Sequence, residues 1–596
     1  MQYYDEHNTN ETILSMLKVD ILKVDIDNKF YIENTCDGGK IEIINNRAFV
    51  GDEVYISDNK VIAIKNHVLK DTPIIGILYL DSKMKYNNSA GKKMFLFKPT
   101  DKKISHFYVT YTLKASEKLQ NIYCLIQFKE WTPYQKLPHG IVLEKIGLIG
   151  EREIEYEHLR IYYGLRKNTI KIDKDLKINH QKILDELKDS VVEYDVFSID
   201  PPESKDIDDA FHFKEMLEER GSEIGIHISC PYYFFKDILD KIMDIGTTVY
   251  MPHKIYNMLP QIYSENYVSL IQDEKRHALS LILQIDGEYN LISYEIKPTI
   301  VKNINKGNYD DFQRNYYKSA ELKKFVEVSS NFFKESSCKV DSHKLVELWM
   351  IYTNKKIAEH LIRNNTNEKK TNIILRSHQS VNSWKNIEYD DLRLTEYLKI
   401  RHENSAKYVL YEDIDLKQTH SKLDNNYYTH FTSPIRRAID LFIHGLLLTD
   451  KDLYEKCELG KKLMHINDIT KRSRKLDRTV KRLEFLYKLK KISDSIETYG
   501  YIIDFNKDKM SCSVYIPEYK LEEMVYLVNR KFKSIVKFEL NSKPDDNESS
   551  YLHESYTVNY EDESKRIYTL YKKVNIRIWI FLSAENIFDK LQIELL

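Results

Sequence analysis

The stretch Val196-Phe-Ser-Ile-Asp200-Pro-Pro-Glu-Ser-Lys-Asp206-Ile-Asp208-Asp209-Ala-Phe-His-Phe213 sets four aspartates between two apolar runs. Tyr194 to Ile199 reads as a strand. Pro201-Pro202 ends it, because proline supplies no ladder donor, and Asp206 and Asp208 then stand two apart on one side of an extended segment. Carboxylates this crowded raise one another's pKa and do not all stay ionised in a shielded site unless a cation compensates them. Oxygen-only ligands select magnesium or manganese over zinc, so Asp200, Asp206, Asp208 and Asp209 are the candidate metal set. An EF-hand calcium loop is excluded, since its glycine and terminal glutamate are missing at the required spacing. The alternative is a solvated acidic loop, against which the apolar flanks and the double proline argue.

On the N-terminal side, short alternating runs such as Lys40-Ile-Glu-Ile-Ile and Asp52-Glu-Val-Tyr-Ile, punctuated by Asp37-Gly-Gly, Asn45-Asn and Gly51-Asp, predict a small β-barrel. A second set from Ile74 to about Glu151, with Phe95-Leu-Phe, His106-Phe-Tyr-Val-Thr-Tyr and Tyr123-Cys-Leu-Ile-Gln-Phe as strands, predicts another. Beyond the aspartates strands and helices mix, with long helical patterns from Ser342 to Arg363 and from Ser433 to Leu448, so the middle is α+β. From Tyr499 short strands return in Cys512-Ser-Val-Tyr-Ile-Pro, Met524-Val-Tyr-Leu-Val and Val574-Asn-Ile-Arg-Ile-Trp-Ile-Phe-Leu, around a polar loop at Asn541-Ser-Lys-Pro-Asp-Asp-Asn-Glu-Ser-Ser. This is a third barrel, and the fold class is multidomain α+β.

A second motif, Tyr428-Thr-His-Phe-Thr-Ser433-Pro434-Ile-Arg436-Arg437-Ala-Ile-Asp440-Leu-Phe-Ile-His444, predicts a helix with Ser433 as N-cap, Pro434 as first residue and Ile435, Ile439 and Phe442 on one buried face. Free amides and the positive dipole end favour phosphate there, and Arg436 and Arg437 add charge-assisted donors. An ordinary capped helix with exposed arginines is the bland alternative. A third segment, Lys471-Arg-Ser-Arg-Lys-Leu-Asp-Arg478-Thr-Val-Lys-Arg482 through Lys491, is basic on a helical pattern and suits either a phosphate path or a solvated face.

At 596 residues the chain exceeds one core and implies several domains. Lys+Arg 90 against Asp+Glu 91 leaves a net charge of -1, so nucleic-acid binding must rest on local patches. The six cysteines, Cys36, Cys124, Cys230, Cys338, Cys457 and Cys512, show no zinc or disulfide spacing, which suits a reducing compartment. No run approaches a membrane span and the N-terminus lacks a signal-peptide core, so a cytoplasmic location is expected.

Together the two motifs resemble the signatures of the ribonuclease II superfamily, which includes ribonuclease R and the exosome catalytic subunit. Asp200-Pro with Asp206-Ile-Asp-Asp-Ala resembles its acidic signature, and His430-Phe-Thr-Ser-Pro-Ile-Arg-Arg with Asp440-Leu and His444 its second. Gly225-Ile-His-Ile, Thr247-Thr-Val-Tyr-Met-Pro252, Met258-Leu-Pro260, Ser264-Glu, Ser269-Leu and Leu375-Arg-Ser-His378 follow in the family's order. The resemblance implies two N-terminal cold-shock barrels of OB type (1–70 and 71–155), a catalytic domain (156–496) and a C-terminal OB-type barrel (497–596). It implies a magnesium-dependent enzyme, with manganese as substitute, that degrades single-stranded RNA processively from the 3′ end to nucleoside 5′-monophosphates by a two-metal mechanism. Asp200, Asp206, Asp208 and Asp209 would hold metal and ready the water, with Arg436 steadying the scissile phosphate. Tyr309 and Tyr250 would stack on nucleotides, and Arg376, Arg437 and Asp477 would contact RNA. Single-stranded RNA and RNA-decay proteins such as a helicase are the expected partners of a monomeric chain that avoids membranes. The departures are Ser229-Cys230 where Ala-Asp is usual, Leu348 where a glutamate linked to sugar recognition is common, and Ala438 for an aromatic. Leu348 puts RNA-over-DNA discrimination in question, and a metal-dependent DNA exonuclease is a further reading. An inactive RNA-binding protein on the same scaffold is the competing reading, which the intact aspartates and Arg436 disfavour.

Overall fold

The structure is a computed structural model that describes residues 18–24, 29–33, 39–45, 47–81, 86–87, 93–112, 119–132, 134–165, 170, 182–183, 185, 191–216, 221–334, 341–364, 372–378, 389, 391–402, 405–413, 427–449, 453–492, 495–507, 509–527, 535–541, 555–560, 563–581 and 587–596. The chain divides into two compact units, Met1–Gly164 and Leu165–Leu596. Cys36, Cys338 and the polar loop after Asn541 lie outside the described residues. Cys124, Cys230, Cys457 and Cys512 are free thiols.

In the first unit, alternation of apolar and polar residues builds two β-modules. Strands Lys18–Ile21, Glu53–Ser57 and Lys60–Asn66 form one sheet and Lys23–Val24, Phe30–Glu33 and Lys40–Glu42 another, with Leu22, Ile32, Ile43, Val54 and Val61 buried as one cluster. In the second module Ile74–Tyr79, Lys93–Pro99, Phe107–Thr110, His139–Leu148 and Ile122–Glu130 pair successively, and the last pairs back with the first. The parallel step, Phe107–Thr110 beside His139–Leu148, gives this ring the order of an OB-type barrel. Phe95, Phe97, Phe107, Val109, Cys124 and Ile126 fill it. The helix Arg152–Tyr162 is tied on by Tyr123 Oη donating to Glu155 at 3.0 Å and by Thr100 Oγ1 bonded to His158 Nε2 at 2.7 Å. The border expected at residue 155 therefore falls inside a helix that the barrel holds.

The second unit is organised by a closed barrel that the sequence reading did not anticipate. Its strands are Val192–Asp200, Asp209–Met216, Gly221–Ser229, Lys275–Ile285 and Leu291–Asn308. Closure comes from parallel pairing of the first with the last, from Val192 opposite Thr299 to Asp200 opposite Asn308. Strand alternation sends Phe211, Ile224, Ile226, Leu281 and Leu283 outward to pack with Phe325, Trp349, Ile357 and Phe442 of the surrounding helices. The inward face carries Val196, Ala210, Ala278 and Val301 together with a buried polar chain. In that chain His212 Nδ1 meets His227 Nε2 at 2.7 Å, and His227 Nδ1 meets Ser280 Oγ at 2.7 Å. Gly225 makes room for it, because a Cβ there would stand 2.2 Å from His212 Nδ1.

The helix Ser342–Arg363 forms as its pattern predicts, and Asp341 caps it by accepting the His343 amide at 3.0 Å. The expected helix from Ser433 is corrected: Ser433 to Arg437 make a turn, and the helix runs Ala438–Thr449. The basic segment lies in the 37-residue helix Lys456–Ile492. The last residues of that helix, Phe485, Leu486 and Leu489, share a core with the terminal sheet, whose strand order is Leu521–Tyr526, Ser511–Ile516, Ser495–Asn506, Lys573–Ile580, Leu591–Leu595. Among the described residues no helix is long and apolar enough to cross a membrane.

Candidate active site

At one mouth of the barrel the chain leaves the strand at Asp200 and re-enters at Asp209, so the intervening loop carries Asp206 and Asp208 across the rim. Local bonds set the loop. Ser269 Oγ donates to the Lys205 carbonyl at 2.7 Å and accepts the Ile207 amide at 2.9 Å, while Leu270 N donates to the Ile207 carbonyl at 3.0 Å. Lys306 Nζ donates to the Ser204 carbonyl at 2.7 Å, and Ser229 N to the Asp208 carbonyl at 2.8 Å. Ile207 and Asp208 are thereby buried, whereas Asp206 stays partly open.

The second motif lies against this loop. Asn354, buried in its helix, accepts the Phe431 amide at 2.7 Å and donates to Tyr428 Oη at 3.0 Å and Thr432 Oγ1 at 3.3 Å. Asp440 accepts the Ser433 amide at 2.8 Å and Arg437 Nη2 at 2.7 Å, and His444 Nε2 meets the Phe431 carbonyl at 3.0 Å. Thr248 N and Thr247 Oγ1 both donate to the Arg436 carbonyl at 3.0 Å, and Ala438 N donates to that of Gly246. The turn is therefore held from three sides. Its Ile435 amide, which the sequence reading offered to phosphate, donates instead to Asp208 Oδ1 at 3.0 Å. Asp208 thus caps an amide that no helix residue could reach, and the helix starts later because the Ala438 amide turns to the Gly246 carbonyl while Thr247 and Thr248 take that of Arg436.

Asp208 Oδ2 accepts Arg436 Nε at 3.3 Å, while Arg436 Nη2 donates to Ser433 Oγ at 2.9 Å. Arg436 is 45 % exposed, and its Nη1 has no partner among the described residues. Burial pushes the Asp208 carboxyl up to about 7, against the pull of Arg436 and the Ile435 amide. Burial likewise raises Asp200 to about 6, with Ser198 and Lys306 opposing and Asp206 adding. Asp209 stands well above its ordinary range through burial and then through Asp200 and Asp208.

Each of these three thus feels the charge of another aspartate of the set. Among the described residues, however, no three His, Cys, Asp or Glu side chains converge into a ready cation site. The donor set nonetheless fits a hard divalent cation. It offers carboxylate oxygens only, and Asp200 Oδ2 is buried with no hydrogen-bond partner.

Of the other expected residues, Tyr309 begins the helix next to Asn308, the pairing partner of Asp200. Burial, then Asp209 and Asp200, raise its hydroxyl to about 12, and its ring already stacks on His343 at 3.8 Å. Tyr250 is brought to the site by its hydroxyl, which donates to Asp206 Oδ2 at 2.8 Å, and its side chain is 53 % exposed. Arg376 lies over the Tyr408 ring at 4.8 Å. Arg437 is held by Asp440, and Asp477 is exposed in a surface pair with Lys481 at 2.8 Å and makes no hydrogen bond or ion pair with the four aspartates among the described residues. Cys230, where the resemblance leads one to expect a carboxylate, is a buried thiol that burial pushes up to about 12. The positioning roles of Asn354, Ser269 and Lys306 were not legible. Each depends on a partner at least 64 residues away.

Residues 188–449 match the model of the RNB domain, and residues 94–164 match that of the Dis3-like cold-shock domain 2. The chain is 25 % identical over 508 residues to DIS3-like exonuclease 2 of Schizosaccharomyces pombe, covering 67 % of this chain and 53 % of that protein. It is 24 % identical over 570 residues to exosome complex exonuclease RRP44 of Homo sapiens, covering 81 % and 57 %. The chain spans about half the length of these curated relatives. In fold it resembles RNase R of Mycoplasma genitalium, solved with ribose-methylated single-stranded RNA, at a TM-score of 0.72 and 16 % identity over 97 % of this chain and 100 % of that one. It also resembles yeast Ssd1, described as a pseudonuclease, at a TM-score of 0.61 and 14 % identity over 100 % and 99 % of the two chains.

Proposed function

Because the chain belongs to the ribonuclease II superfamily, we propose that it is a 3′-to-5′ hydrolytic exoribonuclease that shortens single-stranded RNA processively and releases nucleoside 5′-monophosphates. The observation that carries this reading is the juxtaposition of Asp200, Asp208 and Asp209, each raised by burial and by a neighbouring aspartate, with Asp206 and a half-exposed arginine. Asp200, Asp206, Asp208 and Asp209 would hold magnesium or manganese, which when bound compensates their charge and makes water a nucleophile in the manner of two-metal phosphodiester cleavage. Arg436 keeps one amino group free to meet the charge that develops on the scissile phosphate. Its bond to Asp208 fixes the guanidinium plane, so little reorganisation remains when substrate arrives. Tyr309, beside Asp200 and Asp209, limits how far the terminal nucleotide enters. Tyr250 offers an open ring face to a base, with its hydroxyl engaged by Asp206.

Likeness to a pseudonuclease sharpens the alternative of RNA binding without cleavage, because the fold is common to both. The crowded carboxylates favour cleavage. A protein that only binds polyanions has no physical use for four buried or half-buried negative charges.

The deciding experiment incubates the chain with 3′-extended single-stranded RNA and a matched DNA, in magnesium and then in EDTA, alongside Asp208→Asn. Mononucleotides released from RNA alone, and lost in EDTA and in Asp208→Asn with RNA binding retained, support the reading. Wild type that binds RNA but leaves its length unchanged in magnesium and manganese favours the binding protein.

A further inference from the structure

Away from the aspartates a second like-charge crowding occurs, of opposite sign. The short strands Ile374–Ser377 and Lys407–Leu410 pair antiparallel with Arg376 directly opposite Tyr408. The Tyr408 backbone is clipped to the long helix at both ends, its amide donating to Asn467 Oδ1 at 2.9 Å and its carbonyl accepting Asn467 Nδ2 at 2.8 Å. Arg474 follows Asn467 by two helical turns and Arg478 by three, so both share the helix face that carries Asn467.

Arg376, Arg474 and Arg478 make no ion pair with a carboxylate among the described residues. This distinguishes them from Arg437, Arg472 and Arg482, which pair with Asp440, Asp468 and Glu523. Arg474 is partly buried, and burial, then Arg376 and, more weakly, Arg478 hold it below its ordinary range. Arg376 is also partly buried and Arg478 is exposed, and a partly desolvated guanidinium that feels two further positive charges raises the free energy of the folded chain unless an anion joins them. The cluster also connects to the active site, since Tyr408 feels both Arg376 and Arg437, and Arg437 adjoins Arg436 on Asp208.

We propose that Arg376, Arg474 and Arg478 form a cradle for a backbone phosphate of single-stranded nucleic acid, on the strand that leads toward the aspartates. The assignment rests on the reading of the chain as an RNA exonuclease, and it adds a site at which affinity is set apart from cleavage. Guanidinium suits it because the planar fork binds two phosphate oxygens at once. Tyr408, buried beneath Arg376, keeps that fork in place by stacking on it.

The test uses the full chain in EDTA. Binding of a labelled single-stranded RNA is measured across a salt series for wild type, Arg474→Gln and Lys324→Gln, the last removing a surface charge paired with Glu327. Unfolding midpoints are compared in phosphate and in chloride at equal ionic strength. For Arg474→Gln the affinity falls at least about tenfold. The slope of log K against log salt becomes shallower by about 0.7, one phosphate contact on a single strand. Its midpoint in chloride is equal to or above that of wild type, and the rise that phosphate gives wild type shrinks. Lys324→Gln keeps the wild-type slope.

A lower midpoint in chloride with an unchanged slope makes Arg474 a packing residue and overturns the proposal. An Arg474-dependent phosphate effect with an unchanged RNA slope makes the ligand free phosphate, which also overturns it. Wild type that binds no RNA defeats the functional reading itself, and with it the backbone as ligand. Wild type that binds RNA without cleaving it in magnesium leaves the cradle standing.

Discussion

Single hydrogen bonds at the site carry distinct consequences. Tyr250 was expected to act through its ring, yet its hydroxyl donates to Asp206. Groups that orient a metal-holding carboxylate typically contribute about 10- to 100-fold in metal affinity. Tyr250→Phe therefore raises the magnesium concentration for half-maximal cleavage by about that factor, with the Michaelis constant for RNA nearly unchanged. Tyr250→Ala raises that constant as well. A magnesium titration in which Tyr250→Phe matches wild type would show that the hydroxyl does not orient Asp206. His444 gives a prediction of a different kind. Burial lowers its pKa to about 3, against an unfolded value of about 6.5. Between those values the unfolded chain binds the extra proton, so this contribution to stability is complete above pH 6.5 and declines as pH falls. Asp208 and Asp200 are shifted upward and act with the opposite sign, so the wild-type curve alone mixes the two. The difference between wild type and His444→Gln isolates the histidine. The stability advantage of wild type shrinks on acidification below pH 6.5 by up to about 1.4 kcal/mol per pH unit, and a constant difference from pH 7 to 5 removes His444 as the cause.

At the scale of elements, the turn Ser433 to Arg437 joins two distant segments, and Asn354 joins a third to it. Removing Asn354 leaves the buried Phe431 amide without its acceptor and takes one donor from each of the Tyr428 and Thr432 hydroxyls, a loss of roughly 2 kcal/mol or more. Asn354→Ala is expected to lower the unfolding midpoint and to cut the cleavage rate further than Arg437→Gln does, because it releases the segment that aims Arg436. Equal midpoints for wild type and Asn354→Ala would count against that role. The motifs were legible because each is a short run whose residue types state their chemistry: carboxylates crowded between strands, and arginines beside a proline turn. Their helix boundary was not. Ser433-Pro434 has the form of a helix start, but the Ala438 amide that would continue the turn is taken by the Gly246 carbonyl, far earlier in the chain. Arg474 was likewise one basic residue among many, and only the Asn467 clip to Tyr408 separates it from its neighbours on the helix.

For the whole molecule, strand alternation made the β-modules readable at both ends, whereas the closed barrel at the centre was not. Closure depends on Val192–Asp200 lying parallel to Leu291–Asn308, a pairing about a hundred residues apart that no local period encodes. The buried His212–His227 chain inside the barrel hid it further, because those strands lack the purely apolar inward face that would announce a core. The division into units follows from where the cores lie. Phe95, Phe97 and Phe107 fill a core within Met1–Gly164, and Phe211, Trp349 and Phe442 one within Leu165–Leu596. All four aspartates, Arg436, Tyr309 and the arginine cradle belong to the second. Two fragments, 1–164 and 165–596, are therefore expected to unfold cooperatively on their own. Fragment 165–596 should still release mononucleotides from short single-stranded RNA in magnesium, with a higher Michaelis constant if the N-terminal β-modules contribute affinity. The measurement pairs thermal unfolding of each fragment with product analysis of the larger one. A folded 165–596 that binds RNA and releases nothing, while the full chain cleaves, would mean that a residue before Leu165 completes the active site.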